Sequence, residues 1–124
     1  MKVNEKEFDT IVKKAIRRIP QEIRDHLDNI VISVLRKPSP DMVGDIDLKP
    51  GNELLGLFRG VPLVDRSVTF PPLYPDTIFL FQEPLERACR TIEQLEEQIE
   101  ITVVHEVAHF VGMSEERLAE LGYG

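Results

Sequence analysis

Between Thr91 and Gly112 the chain reads "TIEQLEEQIEITVVHEVAHFVG". No other segment restricts the possible folds so strongly. Ile92, Leu95, Ile99, Val103, Val107 and Val111 recur at three- and four-residue steps, the period of one helix face turned toward a core. Thr91 and Gln94 fit a capping box, in which the hydroxyl accepts from an early N–H and the glutamine reaches back to a free one. Gly112 suits the left-handed residue that ends a helix. The spacing therefore predicts a long helix from near Ile92 to about Val111, and the rest of the domain must cover its apolar stripe.

The remaining segments supply that cover. Phe8, Ile11, Val12, Ala15, Ile16 and Ile19 predict an amphipathic helix closed by Pro20. "QEIRDHLDN" reads as a short second helical piece. "IVISVLRK" and "TIFLFQ" are β-branched or aromatic and read as strands. Residues 37–53 carry Pro38, Pro40, Gly44, Pro50 and Gly51 and read as a long acidic loop. The glycine- and proline-broken stretch "ELLGLFRGVPLVDRSVTF" predicts one or two short strands or turns, and "PPLYPD" a rigid turn. Pro84 opens the helical turn "PLERAC", and Ser114 caps a last short helix, "EERLAELG". With 124 residues and no repeat, this is the material of a single domain over residues 1–124.

On the long helix His105 and His109 fall on roughly the opposite face from the apolar stripe, one turn apart. Residues four apart meet on a helix surface, so two imidazoles can hold one ion. Glu106 lies about 100° round from His105, too far to be the obvious third ligand but able to reach a water on the ion. That is the mechanical content of H-E-x-x-H. Zinc held by neutral imidazoles lowers the pKa of its water to about 7 and polarises a carbonyl. Glu106 is the general base that takes the water proton and returns it to the leaving amine.

A catalytic zinc needs a third protein ligand. Glu115 stands six residues after His109, just past Gly112, where a turn can bring a carboxylate back. Glu116 competes with it, and both also suit the first turn of a helix as dipole partners. His26 is the one other histidine and reads better as an exposed side chain. Tyr74 is a candidate oxyanion donor, although a tyrosine in a proline-rich turn is more often packing. Arg59 and Arg66 read as structural ion pairs, and Cys89 as a buried apolar residue rather than a nucleophile.

Net charge is −7, a sign that argues against nucleic acid, whose phosphates need a basic face. The start "MKVNEKEFDT" has no apolar signal-peptide run, and no stretch reaches the roughly 20 apolar residues of a membrane span. The expectation is a cytoplasmic protein with a peptide or protein substrate, no nucleic-acid or membrane partner, and an oligomeric state that composition leaves open.

"HEVAHFVGMSEERLAELGYG" resembles the small bacterial zincin-like metallopeptidases, the minimal zincins, whose pattern is H-E-x-x-H-x-x-G-x-x-D. "LLGLFRGVPLVDRS" and "PDTIFLFQEPLER" resemble further segments of that family. The resemblance covers at least residues 54–124. It implies a small α+β fold, with an active-site helix beneath a short mixed sheet and an edge strand over the cleft. It implies His105 and His109 as zinc ligands, Glu106 as base, and the position of Glu115 as third ligand. Metzincins place histidine at that offset. Here glutamate stands where aspartate is usual, one methylene longer, so the ion is held differently. "TIFLF" reads either as an edge strand that recruits an extended peptide or as an ordinary half-buried strand.

Three function classes follow from these residues. One is a zinc-dependent peptidase or amide hydrolase. Another is a non-catalytic module in which the ion braces the two C-terminal helices. The last is a metal-free interaction domain that keeps the motif.

Overall fold

A computed structural model describes residues 1–44, 52–60 and 76–124. The elements in order are α1 (Glu5–Arg17), α2 (Gln21–Arg24), a 3₁₀ turn (Asp25–Asn29), β1 (Ile30–Leu35), α3 (Pro40–Gly44), β2 (Gly56–Arg59), β3 (Asp76–Phe81), α4 (Gln82–Ala88), α5 (Ile92–Val111) and α6 (Glu115–Glu120). The architecture is α+β, with helices packed against a mixed sheet that has three strands among the described residues.

The sheet order is β1-β3-β2. β1 runs parallel to β3, from Ile30 opposite Asp76 to Leu35 opposite Phe81. β2 runs antiparallel to β3, from Gly56 opposite Leu80 to Arg59 opposite Thr77. The strand "TIFLF" is therefore central, not an edge. Its backbone is paired on both sides, which removes the expectation that it recruits a peptide by strand addition. Its composition explains the placement: Ile78, Leu80 and Phe81 are fully buried, and a strand so apolar gains most in the middle of a sheet. Among the described residues the outer strands are β1 and β2.

α1 forms as its pattern predicts. Asn4 caps it by accepting from the Glu7 N–H at 2.7 Å, and acidic and basic residues occupy its first and last turns, each complementing the helix dipole. Phe8, Ile11, Val12 and Ala15 turn inward and meet the stripe of α5.

α5 spans the predicted residues. The Thr91 hydroxyl accepts from the Gln94 N–H at 3.1 Å. Gln94 reaches back to the Arg90 N–H at 2.8 Å, one residue earlier than a strict capping box. Leu95, Ile99, Val103 and Val107 are fully buried, joined by Val104 and Ala108. Ile92 departs from the expected stripe: it is 47% exposed, and Glu93 and Gln94 of the same turn are exposed with it. Burial of each large side chain in this core contributes about 1.5–3 kcal/mol before conformational entropy is subtracted.

The expected loop over residues 37–53 contains a helical turn. Ser39 precedes Pro40, and proline is favoured at a first helical position because its missing N–H would have no helical partner there. The Met42 N–H bonds the Ser39 carbonyl at 3.0 Å and closes the turn. The expected turn "PPLYPD" and the strand readings beyond Gly60 fall mostly outside the described residues, as do Arg66 and Tyr74. Among the described residues no helix is long and apolar enough to cross a membrane.

Candidate metal centre

The site is assembled on the second half of α5, where three elements meet. β2 lies across the helix on one side. α6 and the residues after it fold back on the other.

Gly112 adopts φ 73°. Its own N–H and that of Met113 bond the carbonyls of His109 and Ala108, at 3.3 and 2.9 Å. This is the hydrogen-bond pair of a Schellman turn, and it reverses the chain where α5 ends. Ser114 then caps α6 by accepting from the Arg117 N–H at 3.1 Å. Leu118 is buried in the common core, and Arg117 pairs with Glu22 of α2.

His105 is half-buried and His109 exposed, on the side of α5 away from Ile99, Val103 and Val107. Two imidazoles one helical turn apart are the expected pair of metal donors. The His105 ring is engaged, with Nε2 3.0 Å from the Tyr123 carbonyl oxygen.

Glu106 sits between them in sequence and turns toward β2. Its Oε2 accepts the Phe58 N–H at 3.2 Å. Burial lifts its carboxyl above the usual carboxylate range, against the opposing pull of that N–H and the two imidazoles. A carboxylate so placed is a stronger base than a solvated one. The Phe58 side chain stacks on Phe110, with ring centroids 4.4 Å apart, so β2 grips the helix through both its backbone and a ring. A groove of about 240 Å³ opens beside Glu106 and His105, walled by Leu54, Leu55 and Gly56 before and in β2 and by Ile101 and Thr102 of α5. Larger cavities beside Val3 and Glu86, and beside Cys89 and Gln98, contain neither histidine of the motif.

Glu115 and Glu116 both stand exposed in the first turn of α6. Among the described residues no three His, Cys, Asp or Glu side chains come together as a metal cage. His26 is exposed on the 3₁₀ turn. Arg59 makes a surface ion pair with Asp41 at 3.2 Å, and Cys89 is buried with its thiol pushed up by desolvation, so both have the structural character expected of them.

Two participants escaped the sequence reading. Phe58 acts through its backbone, and a main-chain N–H leaves no mark in a side-chain pattern. Tyr123 lies beyond the last predicted helix. Gly122, the last residue of "EERLAELG", is the signal in the sequence that the chain turns there.

Residues 27–124 match the model of a family described as zincin-like metallopeptidase. No curated protein matches the chain.

Proposed function

The chain belongs to the zincin-like metallopeptidase family, and from that premise we propose that it is a zinc-dependent peptidase with Glu106 as general base. The observation that carries the reading is the placement of Glu106: half-buried, anchored by the Phe58 N–H, raised in pKa by desolvation, and one residue from His105. Both imidazoles lie close enough to this carboxylate for their charges to act on it.

The donor chemistry suits zinc. His105 and His109 supply two imidazole nitrogens, and Glu115 is our choice for the third ligand, on the first turn of the helix that Gly112 folds back. When bound, zinc supplies Lewis acidity toward a peptide carbonyl and makes water acidic near neutral pH. The protein's own residues do the rest. Glu106 accepts the water proton at a carboxylate oxygen and hands it to the departing amine nitrogen. The Phe58 N–H holds that carboxylate in place through both transfers. The groove beside Glu106 and His105 offers apolar walls from Leu54, Leu55 and Ile101 for a peptide side chain.

The reading in which an ion merely braces α5 and α6 has less support. Leu118 is 1% exposed, and Arg117 pairs with Glu22, so α6 already has apolar and ionic attachments of its own.

The test combines elemental analysis of untagged protein with a peptide-library digest. The expected result is one zinc per chain and a cleavage that Glu106→Gln abolishes while zinc stays bound. Undiminished cleavage by Glu106→Gln would remove Glu106 from the role of base. Protein that takes up no zinc would overturn the reading altogether.

A further inference from the structure

Thr102, Glu106 and Phe110 recur at four-residue steps on α5, one above the other about 6 Å apart along the axis. Gly56 and Phe58 stand two apart on β2, on one side of the strand and about 6.5 Å from each other. The two spacings match, and β2 meets the helix along that stripe. Phe58 stacks on Phe110 with ring centroids 4.4 Å apart, its N–H reaches Glu106, and Gly56 lies against Thr102. This last approach leaves no room for a side chain. A Cβ on Gly56 would stand 2.6 Å from Thr102 Cγ2 and 3.1 Å from the Phe79 carbonyl oxygen of β3.

Neither neighbour yields cheaply. Thr102 is buried, and its hydroxyl donates to the Gln98 carbonyl at 2.8 Å. That bond fixes the rotamer of a β-branched side chain, so Cγ2 is held against Gly56. The Phe79 carbonyl belongs to the central strand, which is paired on both sides. Carbon atoms pack at about 3.5–4.0 Å, so a methyl group at position 56 would push β2 off α5 by about 1 Å. The bond from the Phe58 N–H to Glu106, already 3.2 Å long, would then pass out of hydrogen-bond range. Among the described residues it is the one hydrogen bond that the Glu106 side chain makes.

We propose that Gly56 and Thr102 are the positioning pair for Glu106. The missing side chain on β2 and the locked methyl group on α5 set how deep the strand sits, and that depth brings the Phe58 N–H to the carboxylate. Both residues act through Phe58. The proposal rests on the reading of Glu106 as general base and adds to it two residues outside the H-E-x-x-H string. It also gives a reason for glycine at the first position of β2: glycine weakens a strand, and it is retained where another element must come close.

Amide hydrogen exchange of the metal-free protein reads the contact directly. Gly56→Ala should lower the protection of the Phe58 N–H about tenfold or more and leave the amides of Val103 and Val107 as protected as in wild type. Thr102→Ser removes Cγ2 and keeps the hydroxyl for Gln98, so the double variant Gly56→Ala/Thr102→Ser should recover the Phe58 protection. With zinc added, kcat on a cleaved peptide should fall about ten- to a hundredfold in Gly56→Ala and return in the double variant. Unchanged Phe58 protection in Gly56→Ala overturns the proposal, and so does a loss that Thr102→Ser fails to repair. If Gly56→Ala loses protection throughout α5, the double variant decides, since it must restore the helix and Phe58 together. Phe58 protection lost with kcat unchanged overturns the positioning role. Any of these failures in a protein that still cleaves peptide leaves the peptidase reading standing; a wild type that cleaves none removes that reading and the positioning role with it, whatever the exchange shows.

Discussion

The Phe58 N–H donates to Glu106 Oε2 across 3.2 Å, joining an outer strand of the sheet to the one carboxylate that the long helix carries between its two histidines. The bond links two segments 48 residues apart, and it opposes the upward shift that burial gives the Glu106 carboxyl.

Burial raises the Glu106 carboxyl above its ordinary range, so the native protein binds this proton more tightly than the unfolded chain does. Stability then declines as pH rises from the ordinary carboxylate range through the raised native value, because folding keeps a desolvated charge. Glu106→Gln removes that charge and retains an oxygen to accept the Phe58 N–H. In metal-free protein the variant should melt higher than wild type at about pH 8, and the advantage should shrink toward about pH 4, where the wild-type carboxyl is protonated. Melting curves across that range check it; a difference independent of pH would mean that the charge of Glu106 is not what the fold resists.

Zinc should stabilise the protein by mass action. At a free concentration 100 times its dissociation constant, a ligand bound only by the native state adds about 2.7 kcal/mol, a shift of several degrees that a chelator should reverse. His109→Ala separates this from a general salt effect. His109 is exposed, so its loss should change the metal-free stability by no more than about 0.5 kcal/mol while abolishing the zinc-dependent shift. A full shift in the variant would exclude His109 as a ligand.

Gly112 is required by its backbone, not by space. An added Cβ meets nothing within 4 Å, yet φ is 73°, where an L side chain costs about 1–2 kcal/mol. Gly112→Ala should lower unfolding free energy by about that amount in urea titrations. If the residue instead moves out of the left-handed region, α6 loses its angle to α5, and zinc affinity falls further than stability does.

Much of this molecule is legible in the sequence because its helices announce themselves locally. The stripe from Leu95 to Val107, the caps at Thr91 and Ser114, and the stop at Gly112 all depend on neighbours within a few residues. Strand order depends on partners far along the chain, and so "TIFLF" was legible as a strand but not as the central one. Pro40 carries no helical signal because its helix is a single turn, too short for any periodicity to show. The site divides along the same line. His105, Glu106 and His109 share one helix, so their spacing is visible in the sequence. The Phe58 N–H and the Tyr123 carbonyl are backbone groups brought in from other segments, and no residue pattern marks them.

Glu115 and Glu116 compete for the position of third ligand. Both are exposed in the first turn of α6, where each complements the helix dipole to a similar, small extent. Replacing either by alanine should therefore alter metal-free stability little and equally. Zinc affinity should separate them. Successive residues on a helix point about 100° apart, so the two carboxylates cannot face the same ion equally well. If Glu115 is the third ligand, Glu115→Ala should weaken zinc by more than the 10–100-fold that outer-shell changes cost, and Glu116→Ala should leave it unaltered. Glu115→Asp adds a finer test, since it shortens the reach by one methylene and restores the residue usual in the H-E-x-x-H-x-x-G-x-x-D pattern. Zinc binding by Glu115→Asp at or above the wild-type level would show that the carboxylate at this position is used and that its length is tolerated. An affinity that falls with Glu116→Ala and not with Glu115→Ala would transfer the role to its neighbour.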